Sequence, residues 1–191
     1  MSSRPTATDA VRLARRRWLA GERVDMSAMA AELDVNRVTL YRWLGSREAL
    51  LVDIVWELAE QTLADVDRRT RGRGPERVVG VVTGFVELVI ANSGMQRWLA
   101  DEGELAMRLL TRSDRGFQPR LIDWVEILLE RERVELDADR REVAYVIVRV
   151  IESYTYLDLI LGERPESSLV GHPAPASTRT RPRHTRERVS L

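Results

Sequence analysis

Apolar residues recur at three- and four-residue intervals through almost all of this chain, and no stretch alternates apolar with polar residues long enough to build a strand. That pattern commits the chain to helices that bury one stripe each, and so to an all-α fold. Val11, Ala14 and Trp18 mark the inner stripe of a first helix that Gly21 ends, and a short second helix is expected from Ser27 to Leu33. Asp34-Val35-Asn36 breaks the chain, Asn36 suits the N-cap of a third helix over Arg37 to Leu44, and Gly45 is a natural stop. Ser46 then caps a long fourth helix with a stripe of Leu50, Ile54, Leu58, Leu63 and Val66. Beyond the break at Arg71-Gly72-Arg73-Gly74-Pro75, helices are expected near 75–91, 93–100, 102–111, 119–134 and 139–162. Asp139 and Glu142 have the spacing of a capping box for the last of them.

The net charge of zero conceals a segregation. Residues 1–50 carry nine Arg against six acids, residues 51–171 sixteen against twenty-three, and residues 172–191 five against one. A basic head on an acidic body suits a protein that offers one end to phosphates, although a difference this small also arises by chance. Every basic residue other than the two histidines is Arg, and there is no cysteine, which removes disulfides and thiolate chemistry and fits a cytoplasmic protein. No apolar run approaches the roughly 18 residues of a membrane span, and the basic N-terminus lacks the apolar core of a signal peptide. Residues 166–191, rich in Pro, Ser, Thr and Arg, read as a flexible basic tail that either adds non-specific DNA contact or has no role. The expected domains are a head over 1–50, a larger helical domain over 51–165 and this tail.

Residues 27–44, SAMAAELDVNRVTLYRWL, meet the demands of a helix-turn-helix: a bracing helix, a tight turn and a second helix for the major groove. Ala30 is small where the helices cross, and Leu33, Val35, Leu40 and Leu44 have the spacing of a module core. Arg37, Val38, Thr39, Tyr41, Arg42 and Trp43 are left facing outward. Arg37 can pair with guanine, Val38 and Thr39 can meet a thymine methyl, and Tyr41 can bond phosphate. With Ser27 and Asn36 they make up the candidate DNA-facing set on these two helices.

The longer string SAMAAELDVNRVTLYRWLGSREALL, Ser27 to Leu51, resembles the DNA-binding motif of the tetracycline-repressor (TetR) family. The likeness lies in Ala30, Val35, Thr39-Leu40-Tyr41, Leu44 and the Gly45-Ser46-Arg47-Glu48 link into a helix that opens with Leu50 and Leu51. The family's turn glycine is Asp34 here, a residue that tolerates the left-handed conformation. The family's phosphate-binding lysine is Arg47, which keeps the charge. The resemblance implies an N-terminal three-helix DNA-binding domain and a C-terminal bundle for dimerisation and ligand binding. It further implies a homodimeric repressor on a double-stranded, pseudo-palindromic operator, released by a small apolar or amphipathic effector. Gly116-Phe117-Gln118-Pro119-Arg120 and the final helix look like the subgroup associated with degradation of lactone signals, which implies a lactone-like or fatty-acyl effector.

The final helix, from Val143 to Leu161, is apolar nearly all round and needs cover on more than one side. A second subunit over 119–162 or the middle of a monomeric core would each supply it. Tyr145, Arg149, Glu152 and Tyr156 share one face of it, either as effector contacts or as an Arg149–Glu152 ion pair at a dimer interface. Trp98, Met107, Phe117 and Trp124 are further effector candidates that serve equally as plain core. Against an enzyme, the only histidines, His172 and His184, lie in the tail, and there is no phosphate loop, nucleophile motif or metal-ligand spacing. No cofactor or metal is expected. The remaining alternative, an architectural DNA-binding protein without an effector, leaves a domain of over a hundred residues without a use.

Overall fold

The computed structural model describes residues 4–113 and 116–156, and these form eight α-helices and no strand. They are α1 (Ala7–Leu19), α2 (Met26–Glu32), α3 (Arg37–Leu44), α4 (Arg47–Arg69), α5 (Gly74–Ala91), α6 (Ser93–Leu110), α7 (Phe117–Arg131) and α8 (Arg140–Thr155). Local chemistry fixes most of the starts. Thr6 and Asp9 close a capping box on α1, and the Asn36 side chain accepts from the Val38 N–H at 2.8 Å. Ser46 Oγ accepts from the Ala49 N–H at 3.1 Å, and Asp139 accepts from the N–H groups of Arg141 and Glu142. Asp34 takes φ 50°, the left-handed turn expected of it, and Gly45 takes φ 71° at the end of α3.

Several boundaries differ from the sequence expectation. The cap of α2 is Asp25, which accepts from Ser27 and Ala28, so Met26 opens the helix. The two helices expected over 93–111 are one, α6, bent at Glu102, whose φ/ψ of −137°/39° leave the helical region. Helix α7 begins at Phe117 because Pro119 sits in its first turn, where a missing N–H costs nothing. It stops at Arg131, followed by Arg133 at φ 53°. The extension of the last helix to 162 and the tail 166–191 lie outside the described residues. In α1 the buried stripe is Ala10, Leu13, Ala14 and Trp18, whereas Val11 is exposed.

Helix α4 runs through the middle of the molecule, packing on α1, α3 and α6 at its start and on α5 and α7 further along. Two glycines of α5 let it lie close to α4: a Cβ at Gly80 would come within 2.9 Å of Thr70 Cγ2, and one at Gly84 within 2.9 Å of Val66 Cγ1. A Cβ at Gly94 would lie 2.8 Å from the carbonyl oxygen of Trp18, so the first turn of α6 lies directly on the end of α1. At the opposite end, Arg77 pairs with Asp67 and Glu132, and Arg131 with Asp67, tying α4, α5 and α7 together. Helices α7 and α8 pack side by side, with α5 beneath α8.

Candidate DNA-reading helix and effector cavity

Helices α1 to α3 form a small unit around Leu40, which is fully buried, with Leu33, Val35 and Leu44 half-buried beside it. On the outer side of α3, Val38 is 74% exposed, Arg37, Tyr41 and Arg42 are exposed, and Thr39 is half-exposed. Neither the Arg37 nor the Arg42 guanidinium has a hydrogen bond or ion pair among the described residues. Ser27 is exposed at the start of α2, and the Asn36 side chain is engaged as the cap of α3. Trp43 departs from its expected outward position. It is half-buried beside Val11, Leu50 and Ile54, because three residues beyond Leu40 it shares the inner face of α3.

Arg47 is also held inward. Its Nε donates to the Val24 carbonyl at 2.6 Å, and its guanidinium pairs with Glu102 at the bend of α6. Arg23 reaches the other oxygen of Glu102 at 3.2 Å. The residue expected to hold a phosphate is therefore occupied by a carboxylate of the larger domain. Nothing in sequence connects positions 47 and 102, and sequence reasoning missed this contact.

Between the helices of the larger domain lies a partly open, mostly apolar pocket with about 60 Å³ of free space. Val55, Leu58 and Ala59 of α4, Phe85 and Val89 of α5, Phe117 and Leu121 of α7 and Ile151 of α8 form much of its apolar wall. Trp18 closes the head-side end together with Asn92 and Met95. At 4% exposure Trp18 is buried, yet its indole N–H has no partner among the described residues. Glu152 and Tyr156, one turn apart on α8, line the wall as well.

Glu152 is 7% exposed. Its Oε1 accepts from Gln118 Nε2 at 2.7 Å and its Oε2 from Arg149 at 2.6 Å. Burial raises its pKa above the ordinary carboxylate value, with Gln118 and Arg149 pulling the other way. Burial, reinforced by the charge of Glu152, likewise pushes the Tyr156 phenol up and keeps it protonated.

Of the expected effector residues, the structure brings Phe117, Glu152 and Tyr156 to the cavity, with Arg149 behind Glu152. The expected Arg149–Glu152 pair forms along α8. Trp98 instead stacks edge-on against Trp18, ring centroids 6.3 Å apart, beside a separate cleft of about 400 Å³ between α1 and α6. Met107 and Trp124 are half-buried and Tyr145 is exposed, and none of the three lines the cavity. Sequence reasoning missed Trp18, which reads as an ordinary core position, and the role of Gln118, which it quoted only as part of a motif.

Comparison with known proteins agrees with this architecture. A family model described as "Tetracyclin repressor-like, C-terminal domain" matches residues 73–172, just over half of the chain. No curated protein matches the chain. The solved structure of the transcriptional repressor QsdR from the TetR family of R. erythropolis superposes with a TM-score of 0.77 at 24% identity, covering 87% of this chain and 92% of that one. At this identity the likeness concerns the fold alone. The family match over the larger domain and the helix-turn-helix in front of it give one conclusion: the chain belongs to the tetracycline-repressor-like (TetR) family of DNA-binding transcriptional regulators.

Proposed function

We propose that this regulator is a homodimeric repressor released from a pseudo-palindromic operator by a small apolar or amphipathic effector. Residues 1–50 read DNA through the outer side of α3, and residues 51–165 sense the effector and dimerise. The observation that carries this reading is the shared wall of the cavity. Trp18, on the first helix of the reading head, and Glu152, on the last described helix, line the same apolar space. A molecule that enlarges this space pushes on the head itself. Support for the dimer comes from α7 and α8, which leave Ile127 61% and Val146 58% exposed, with Tyr145 and Val150 beside them. Two-fold symmetry in the protein would then match two half-sites in the DNA.

Release requires an effector that binds the operator-incompetent conformation more tightly, since equal affinity for both shifts nothing. The test is to select an operator from random duplex DNA with the purified protein. Its anisotropy is then followed while apolar and amphipathic compounds are titrated. Compounds that raise the melting temperature should also weaken operator binding. Stabilising compounds that leave operator affinity unchanged overturn the switch.

A further inference from the structure

We propose that the effector carries a neutral hydrogen-bond-donor head, a carboxamide or a hydroxyl on an aliphatic chain, that seats on Glu152 and Tyr156 at the α8 wall of the cavity. This rests on the reading of that cavity as the effector site. The wall is apolar apart from a few groups, and some of these are already committed while the Trp18 N–H at the far end is a donor without a partner among the described residues. The Thr62 and Thr155 hydroxyls donate to carbonyls of their own helices, Leu58 and Ile151, at 2.8 and 2.9 Å. Asn92 Oδ1 caps α6 by accepting from the Met95 N–H at 2.9 Å.

Glu152 differs from these. Its bonds come from a guanidinium, which cannot accept, and from an amide N–H, so it stands as an acceptor with lone pairs to spare. Tyr156 lies one turn along α8 and is 5% exposed, and its hydroxyl has no hydrogen bond among the described residues. A buried polar pair of this kind selects a ligand that completes its bonds and rejects one that does not. A carboxamide can give its N–H to Glu152 and accept from the Tyr156 hydroxyl at its carbonyl, and an alcohol can give one O–H. A carboxylate would bring a second negative charge against Glu152 in an apolar setting. A lactone carries acceptors only: it can accept from Tyr156 or Trp18 but leaves the Glu152 carboxylate without a further donor. An ammonium gains little, because Arg149 already balances the carboxylate at 2.6 Å.

The experiment measures binding of octanamide, octan-1-ol, octylammonium, octanoate and γ-octalactone to the full chain by isothermal titration calorimetry. Octanamide and octan-1-ol should bind at least about tenfold more tightly than octanoate or the lactone, with octylammonium no better than the alcohol. In E152Q that preference over octanoate should shrink to about threefold or less. In R149Q, where the half-exposed guanidinium is lost and the carboxylate keeps its charge, octylammonium should gain about tenfold. The Arg149 site is at the surface, so this arm stands if E152Q does not fold. Octanoate or the lactone binding as tightly as octanamide, or octylammonium gaining nothing in R149Q, overturns the proposal and leaves the cavity reading intact. Failure of every probe to bind overturns the cavity reading and this proposal with it.

Discussion

Arg47 must leave Glu102 before it can grip a phosphate, and the outer side of α3 has no such obligation. Replacing Glu102 with Gln should free the guanidinium and raise affinity for non-specific duplex DNA by about threefold to tenfold, with a salt dependence steeper by about one phosphate contact. A loss of affinity in E102Q would show instead that the pair positions the head. On α3, Arg37→Ala and Thr39→Ala should relax sequence preference, each by roughly 1–3 kcal/mol at the base pair it reads, while leaving non-specific binding nearly unchanged. Selection from random DNA with each variant measures this. Trp43→Phe, by contrast, should act on stability and not on sequence preference, because the ring packs inside the head. Residues whose role is local were legible in the sequence: Asn36, Gly45, Ser46 and the left-handed Asp34 all do what spacing and side-chain chemistry imply. Trp43 and Arg47 were not. Their positions depend on partners such as Ile54 and Glu102, which come close only in the folded chain.

The helices show the same division between local and distant causes. Periodicity located every described helix, and it placed a break near residue 102, where the structure has a bend within one helix instead of a gap between two. It did not separate the two faces of α7. Leu128 has the spacing of an interface residue, yet it is 1% exposed and belongs to the core of its own chain, while Ile127 beside it faces out. Ile127→Asp or Val146→Asp should therefore convert a dimer to a folded monomer in sedimentation. Leu128→Ala should instead cost about 2–5 kcal/mol of stability by leaving a cavity. The clasp joining α4, α5 and α7 has its own signature in pH. Partial burial acts to raise the Asp67 pKa, but its bonds to Arg131 and Arg77 leave it below the ordinary 3.8. A carboxylate lowered on folding stabilises the fold above its unfolded value, and that contribution is lost as pH falls through the folded one. Asp67→Asn should cost about 1 kcal/mol at neutral pH and flatten the acid limb of the melting curve, a discounted figure because solvent reaches the clasp.

At the level of the whole molecule, the two ends of the proposed switch meet in one narrow space, and its size sets how the switch responds. A site for a drug-sized ligand usually occupies roughly 300–1,000 Å³. Here about 60 Å³ is free, bounded by side chains as large as Phe85 and Trp18. An effector that seats wholly inside must therefore prise helices apart as it enters, and that work is subtracted from its affinity. Phe85→Leu should reduce the work, so that shorter aliphatic amides stabilise the protein and weaken operator binding, as melting curves and anisotropy would report. In the native chain the tight interior sets a threshold. Each added methylene contributes about 0.8 kcal/mol of burial, so only molecules above some chain length do enough work to open the fold. The regulator would then stay silent to the many short-chain metabolites around it on size alone, before any polar contact discriminates among them.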